Sequence, residues 1–181
     1  MKIGIIDSGI GGLDILNKLI NKYPNNEILY LCDNLNLPYG TKTKNEVIKL
    51  LKNILNYLEK EHINLLIVAC NTMSCFIDEI RHLYSYPIYT ILEYNVKLLN
   101  NKYQNKKVSI IATALTIRSE SYLYNTSNID IQFINGSYLT KLIEDDNETF
   151  IDNEINSLIK QVSKDSDIVL LGCTHYGLYK N

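Results

Sequence analysis

Two short stretches carry cysteine in the same setting. "ACNT" places Cys70, Asn71 and Thr72 directly after the apolar run "LLIV", and "GCTH" places Cys173, Thr174 and His175 directly after "DIVLL". A thiol between a strand tip and a helix start faces free N–H groups and the positive end of the helix, which favours the thiolate. Asn71, Thr72 and Thr174 offer hydrogen bonds to a carboxylate or amine, and His175 can accept a thiol proton or stabilise a thiolate. A single free cysteine fills cores as a small hydrophobe. Two at matching strand tips read as a working pair, whereas Cys75, inside the next helix, and Cys32, beside Asp33, read as structural. The pair suits a disulfide or a proton transfer. In the latter, one thiolate takes a proton from carbon while the opposed thiol delivers one to the other face, inverting a stereocentre without a cofactor. The carbon acid is weak, so the site must exclude water and stabilise charge developing on a substrate carboxylate.

Asp7 is the next candidate. It closes the apolar run "KIGII" and is followed by "SGIGG". The glycines permit a tight turn, and open N–H groups at the following helix suit a bound carboxylate or phosphate. "GIGG" faintly resembles a phosphate loop, but neither G-x-G-x-x-G nor G-x-x-x-x-G-K-[ST] is present, which weighs against a nucleotide.

These residues need elements to hold them, and the pattern supplies strands alternating with helices. "KIGIID", "EILYLCD", "INLLIVAC", "IYTIL", "KVSIIAT", "DIQFIN" and "DIVLLGC" read as strands. "GGLDILNKLINKY", "TKNEVIKLLKNILNYLEKE", "NTMSCFIDEIRHLY", "TIRSESYLYNT" and "FIDNEINSLIKQVSKD" read as helices, with Thr43 and Glu46 spaced as a capping box. "NVKLLNNKYQNKK" reads as a polar bridge. The alternation predicts an α/β fold of parallel sheets. The halves also match: Lys2-Ile3-Gly4-Ile5-Ile6 corresponds to Lys107-Val108-Ser109-Ile110-Ile111, and Cys70 to Cys173. We therefore expect a first α/β domain over residues 1–95 and a second over residues 96–181. Ligands of open α/β sheets bind beyond the carboxyl ends of the strands, so facing halves would aim both thiols into one cleft.

Composition narrows the classes. A net charge of -2 argues against a general nucleic-acid binder, and the lysine-rich "TKTKNEVIKLLK" fits the solvated face of a helix. No apolar leader precedes Asp7, and no run approaches the roughly 18 apolar residues of a membrane span, so no membrane partner is expected. A cytoplasmic protein follows as an expectation, with all four cysteines reduced. There is no C-x-x-C and only His175 lies near a cysteine of the pair, so no zinc framework is expected.

Taken together and in order, "IGIIDSGIGGLDIL", "YLCDNLNLPYGTKT", "ACNTMS", "IATALTIRSESY" and "LLGCTHYGL" resemble the cofactor-independent Asp/Glu racemase family over nearly the whole chain. The resemblance implies two pseudo-symmetric α/β domains with the active site in the cleft between them. It implies Cys70 as the acid/base for the D-enantiomer and Cys173 for the L-enantiomer, with Asp7 assisting Cys70 and His175 assisting Cys173. Glu144, in "TKLIEDD", falls where the family carries a supporting acid, although with Asp145 and Asp146 it also fits a solvated acidic helix end. Implied substrate contacts are Asp7, Ser8, Tyr39, Gly40, Asn71, Thr72, Thr174 and His175, with Thr113 and Thr116 as weaker candidates. The "DSGIGG" start resembles the glutamate branch. That implies conversion of L-glutamate to D-glutamate for peptidoglycan, with no cofactor or metal and commonly as a homodimer.

There are departures from the family pattern. Met73 stands after "CNT" where a small residue is usual, Gly177 after "CTHY" where proline is usual, and "CDNLN" replaces a more usual "GDTAR". None removes a catalytic group. Family members continue beyond "CTHY" with a segment that returns to the first domain, so apolar surface is expected to be exposed on residues 1–95. Two other functions stay open: a binding protein that keeps the cleft without the chemistry, and a related enzyme such as an aspartate racemase or a decarboxylase.

Overall fold

The computed structural model describes residues 1–179; residues 180 and 181, which close the second domain expected from sequence, lie outside the described residues. In the first half β1 (Lys2–Asp7), α1 (Leu13–Lys22), β2 (Glu27–Cys32), α2 (Lys44–Lys60), β3 (Leu65–Val68), α3 (Asn71–Ser74) and β4 (Ile88–Thr90) follow in order. Their strands form a parallel sheet ordered β2-β1-β3-β4. After α4 (Ile91–Lys102), the second half contains β5 (Lys107–Ala112), α5 (Ala114–Arg118), α6 (Ser121–Asn125), β6 (Asp130–Asn135), α7 (Ser137–Glu144), α8 (Glu148–Gln161) and β7 (Ile168–Gly172). Its parallel sheet is ordered β6-β5-β7. The leading three strands of each half thus share one arrangement, with β5, β6 and β7 in the places of β1, β2 and β3.

α2 shows how the pattern becomes structure. Thr43 accepts from the Glu46 N–H while the Glu46 carboxylate accepts from the Thr43 N–H, closing the capping box. Val47, Leu51, Ile54, Leu55 and Leu58 recur at helical spacing and are buried against β1, β3 and the segment after α3. Each such side chain contributes about 1.5–3 kcal/mol on leaving water, so this one face anchors the first sheet.

Three helical segments differ from expectation. "NTMSCFIDEIRHLY" is not one helix: α3 has four residues, and two 3-10 turns, Ile77–Glu79 and Arg81–Leu83, follow. Met73, Phe76, Ile77 and Ile80 keep the spacing of one helix face into the core, but the backbone leaves the helical region at Phe76 (φ -120°) and Ile80 (φ -129°). "TIRSESYLYNT" is two helices, because Glu120 takes a left-handed φ of 54° between α5 and α6. The polar bridge is largely α4, begun by a second capping box between Thr90 and Glu93. Its apolar stripe, Leu92, Val96 and Leu99, packs against Val108 and Ile110 of β5. The expected division at residues 95 and 96 therefore falls inside a helix that packs with the second sheet. The stripe is only three residues wide among asparagines and lysines, which hides it in the sequence. Thr90 both ends β4 and caps α4, so the chain passes from the first sheet into the helix that packs on the second without a loop.

One face of the first sheet is partly open. Ile3, Leu65 and Ile67 of the strands, Ile15 and Leu19 of α1, and Tyr89 border an apolar groove of about 650 Å³.

Candidate active site between the two sheets

Strand register assembles the first cluster. Asp7 ends β1 opposite Cys32, and β3 stops at Val68, beside Ile6, so Ala69 and Cys70 turn out next to Asp7 and Ser8. Asp7 is fully buried. The Ser8 N–H donates to Asp7 Oδ1 at 2.8 Å, and Ser8 Oγ lies 3.5 Å from Cys70 Sγ. Burial holds the Asp7 carboxyl above the usual range, opposed by the charge of His175 and by its hydrogen bonds. Burial, and then the charge of Asp7, push the Cys70 thiol well up. That reverses the expectation that a helix N-terminus would lower it. α3 is one turn long and carries little dipole, while the buried sulfur faces a carboxylate.

The second cluster lies beyond β7, where Gly172 pairs with Ala112 and the chain turns into a 3-10 segment, Thr174–Tyr179. His175 is 1% exposed. Its Nδ1 lies 3.4 Å from Cys173 Sγ, and its Nε2 bonds Glu144 Oε1. Burial pulls the imidazole pKa down, but the bonds to Cys173 and Glu144 outweigh it, and the pKa is pushed up to about 10. His175 is then an imidazolium at neutral pH, able to donate to the sulfur through Nδ1 and to the carboxylate through Nε2. α7 supplies two supports from one face, since residues one turn apart lie together. Thr140 Oγ1 is 3.7 Å from Cys173 Sγ, and Glu144 reaches His175. Asp145 and Asp146 stay exposed, so of the acidic run only Glu144 turns inward.

The clusters meet. Thr174 Oγ1 donates to Asp7 Oδ2 at 3.0 Å, joining the strand tips of both sheets. The "SGIGG" loop passes directly over the second cluster. A Cβ at Gly9 would stand 1.8 Å from Glu144 Oε1, and one at Gly11 would stand 2.4 Å from Thr174 Oγ1. No glycine among the described residues has a positive φ, so what this loop needs from glycine is close approach. Gly11, Asn71, Asn95, Cys173, Thr174 and Gly177 help line a cavity of about 160 Å³ between the halves.

The remaining expected contacts divide. Thr72, Thr113 and Thr116 form a closed ring of buried hydroxyls, with Oγ1 separations of 2.9, 3.1 and 3.0 Å, across the seam. Gly40 abuts Thr113, where a Cβ would meet it at 2.6 Å. Tyr39 is not brought to the two clusters by its hydroxyl, which donates to Asp33 Oδ2 at 2.6 Å while its ring packs in the first core. Asn71 bonds Tyr122 through its side chain. Tyr122, Asn95, Thr140 and Tyr30, whose Oη donates to the Gly9 carbonyl at 2.9 Å, escape sequence reasoning. Tyr122 closes "IATALTIRSESY", Tyr30 opens "YLCDNLNLPYGTKT" and Thr140 opens "TKLIEDD", whereas Asn95 left no signal beyond the polar bridge. Cys75 Sγ donates to the Asn71 carbonyl and Cys32 stays beside Asp7. No group of His, Cys, Asp and Glu among the described residues could hold a metal.

Two parallel α/β halves of like topology, each with a thiol at the strand tips where they meet, define a class of pseudo-symmetric two-sheet protein. Comparison with known proteins narrows it. The Asp/Glu/Hydantoin racemase family matches residues 3–181, and the chain belongs to that family. It is 38% identical to a glutamate racemase of Fusobacterium nucleatum, over 99% of this chain and 71% of that one. It is 33% identical to the glutamate racemase of Aquifex aeolicus, over 99% and 73%. Among solved structures it resembles glutamate racemase from Campylobacter jejuni, with a TM-score of 0.85 and 31% identity over 98% of this chain and 74% of that one. It also resembles glutamate racemase from Francisella tularensis in complex with D-glutamate, with a TM-score of 0.89 and 28% identity over 99% and 70%.

Proposed function

We propose that the chain interconverts L- and D-glutamate without a cofactor, with Cys173 and Cys70 as the acid/base groups on opposite faces of the α-carbon. In the L-to-D direction Cys173, as a thiolate, takes the α-proton. The electron pair of the broken C–H bond passes onto the substrate carboxylate. Cys70, as a thiol, then gives its proton to the opposite face and becomes the thiolate; after product leaves, Cys173 loses a proton to water and Cys70 takes one from it, which returns both sulfurs to their starting states. The observation that carries this reading is the unequal setting of the two sulfurs. The imidazolium of His175 donates toward Cys173, while burial and Asp7 hold the proton on Cys70. A cationic donor thus adjoins one sulfur and a carboxylate the other, an asymmetry that suits a one-base, one-acid inversion.

Glu144 holds His175, and Ser8, held by Asp7, adjoins the Cys70 sulfur when that sulfur takes the α-proton in the D-to-L direction. Asn71, Thr72, Gly40 and Thr174 line the substrate's polar ends in this reading, with Tyr39 a support for Gly40. The racemase relatives and the presence of both thiols favour an enzyme over a binding protein without chemistry. D-Glutamate for peptidoglycan is the role this activity implies, with a cytoplasmic location and a homodimer as further parts of the proposal. What supports the location is that no helix among the described residues is long and apolar enough to cross a membrane.

The test is isotope exchange. Each glutamate enantiomer is incubated in deuterium oxide with no cofactor added, and the α-proton is followed by NMR. Deuterium should enter from both starting enantiomers, mostly in the inverted product. A folded, monodisperse sample that exchanges neither enantiomer would overturn the proposal. Exchange of aspartate in preference to glutamate would overturn the substrate assignment alone.

A further inference from the structure

We infer that Tyr122 and Asn95 are positioning residues that fix the side-chain amide of Asn71 with its N–H₂ turned toward the cleft. This rests on the racemase reading for what the amide then binds, but its geometry stands alone. Asn71 is the first residue of α3, directly after Cys70, and is 3% exposed. Its Oδ1 accepts from Tyr122 Oη at 2.7 Å. Tyr122 is fully buried in α6, and its Oη accepts in turn from Asn95 Nδ2 at 3.0 Å. A phenol has one proton to give. The Asn95 amide nitrogen can only donate, so the Tyr122 proton goes to Asn71 Oδ1, and Asn71 is left with two N–H donors on its other side. Asn71 and Asn95 both help line the cavity that holds Cys173 and Thr174. An amide free to flip would present a donor half the time and an acceptor the other half. Fixed as a donor, it suits an anionic group, here a carboxylate of the amino-acid substrate.

The relay also spans the seam. Asn71 belongs to the first sheet's half, while Tyr122 and the α4 residue Asn95 pack with the second. The donor is therefore oriented only when the two halves are docked, which links closure of the cleft to readiness for substrate.

The experiment is a double-mutant cycle in the full chain. Tyr122→Phe keeps the ring and removes one hydroxyl. It should lower kcat/KM for both enantiomers about tenfold, mainly through KM, the size of one lost orienting bond. In an Asn71→Ala background the same change should cost less than about twofold, because the group it orients is gone. A merely structural tyrosine would exact the same loss in both backgrounds, and that additivity would overturn the inference. The second readout needs no activity. The Asn71 side-chain N–H₂ pair, assigned by its disappearance in Asn71→Ala, should shift and broaden in Tyr122→Phe protein. An unchanged pair overturns the inference even if the wild-type chain proves inactive, an outcome that would sink the racemase reading separately. Should Tyr122→Phe fail to fold, Asn95→Ala is put through the same cycle and the same amide measurement, with an expected loss of about threefold.

Discussion

Gly9→Ala strikes the support of His175 without touching either sulfur. Gly9 has a φ of -146°, outside the left-handed region that favours glycine. Its methyl would stand 1.8 Å from Glu144 Oε1, where ordinary contact begins at 3.4 Å, and 2.9 Å from His175 Nε2. The carboxylate must retreat by about 1.6 Å, which breaks its bond to the imidazole. Because the displaced atom ends a flexible side chain, the fold yields cheaply and the melting temperature should barely move. The lost bond is charge-assisted and worth about 1.5–3 kcal/mol. If it is fully felt in the transition state, the rate falls about 10- to 150-fold. His175 loses one of the partners that hold its pKa near 10, so its titration should move downward. Isotope exchange gives the rate, and the imidazole C2–H resonance gives the titration. A rate within threefold of wild type together with an unmoved titration would refute the reasoning.

Other outcomes follow from the same geometry. Cys70→Ser and Cys173→Ser should each abolish racemisation, since a serine hydroxyl at pH 7 is far too weak an acid or base for the carbon proton; a variant of either that keeps a tenth of the rate contradicts the two-thiol scheme. His175 has a folded pKa raised above its unfolded value, so the stability it contributes is complete below about pH 6.5 and is lost as pH rises through about 10. Urea titrations across that window should show the decline, and His175→Gln should flatten it. Thr43→Ala removes the cap of α2 and should cost about 1 kcal/mol, lowering the melting temperature by about 2–4 °C. Leu58→Ala, at a fully buried site on the same helix, should cost about 2–5 kcal/mol in denaturant unfolding.

Much of this was legible before any coordinates. Strands read well because each is a short apolar run closed by a polar or glycine residue, as in "KIGIID" and "DIVLLGC". The capping box of α2 is local chemistry, and local chemistry is visible in sequence. The repeated Cys-polar-polar ending exposed the two-half plan. What failed depends on contacts from outside the segment. α4 looked like a bridge because its buried stripe is narrow, and only β5 shows which face is covered. The helix expected after Cys70 breaks at Phe76 and Ile80, whose backbone leaves the helical region although the apolar residues around them keep helical spacing. The Cys70 thiol was misjudged because its burial and the neighbouring carboxylate come from strand register, not from its own neighbours in the chain. The glycines were assigned to a turn, whereas their need comes from Glu144 and Thr174, more than a hundred residues away in sequence. Tyr122 and Asn95 gave no sign of acting together, since only folding brings them to Asn71.

The passage from β4 into α4 bears on how the molecule can move. Thr90 ends the last strand of one sheet and opens the helix that packs on the other, and its hydroxyl and N–H are both bound by Glu93. Arg81, from the turn before β4, grips the other Glu93 oxygen at 2.7 Å. The crossing is therefore a clamped pivot and not a slack tether. Any opening of the cleft about this point strains two cap bonds and an ion pair at once, each worth about 1 kcal/mol or less.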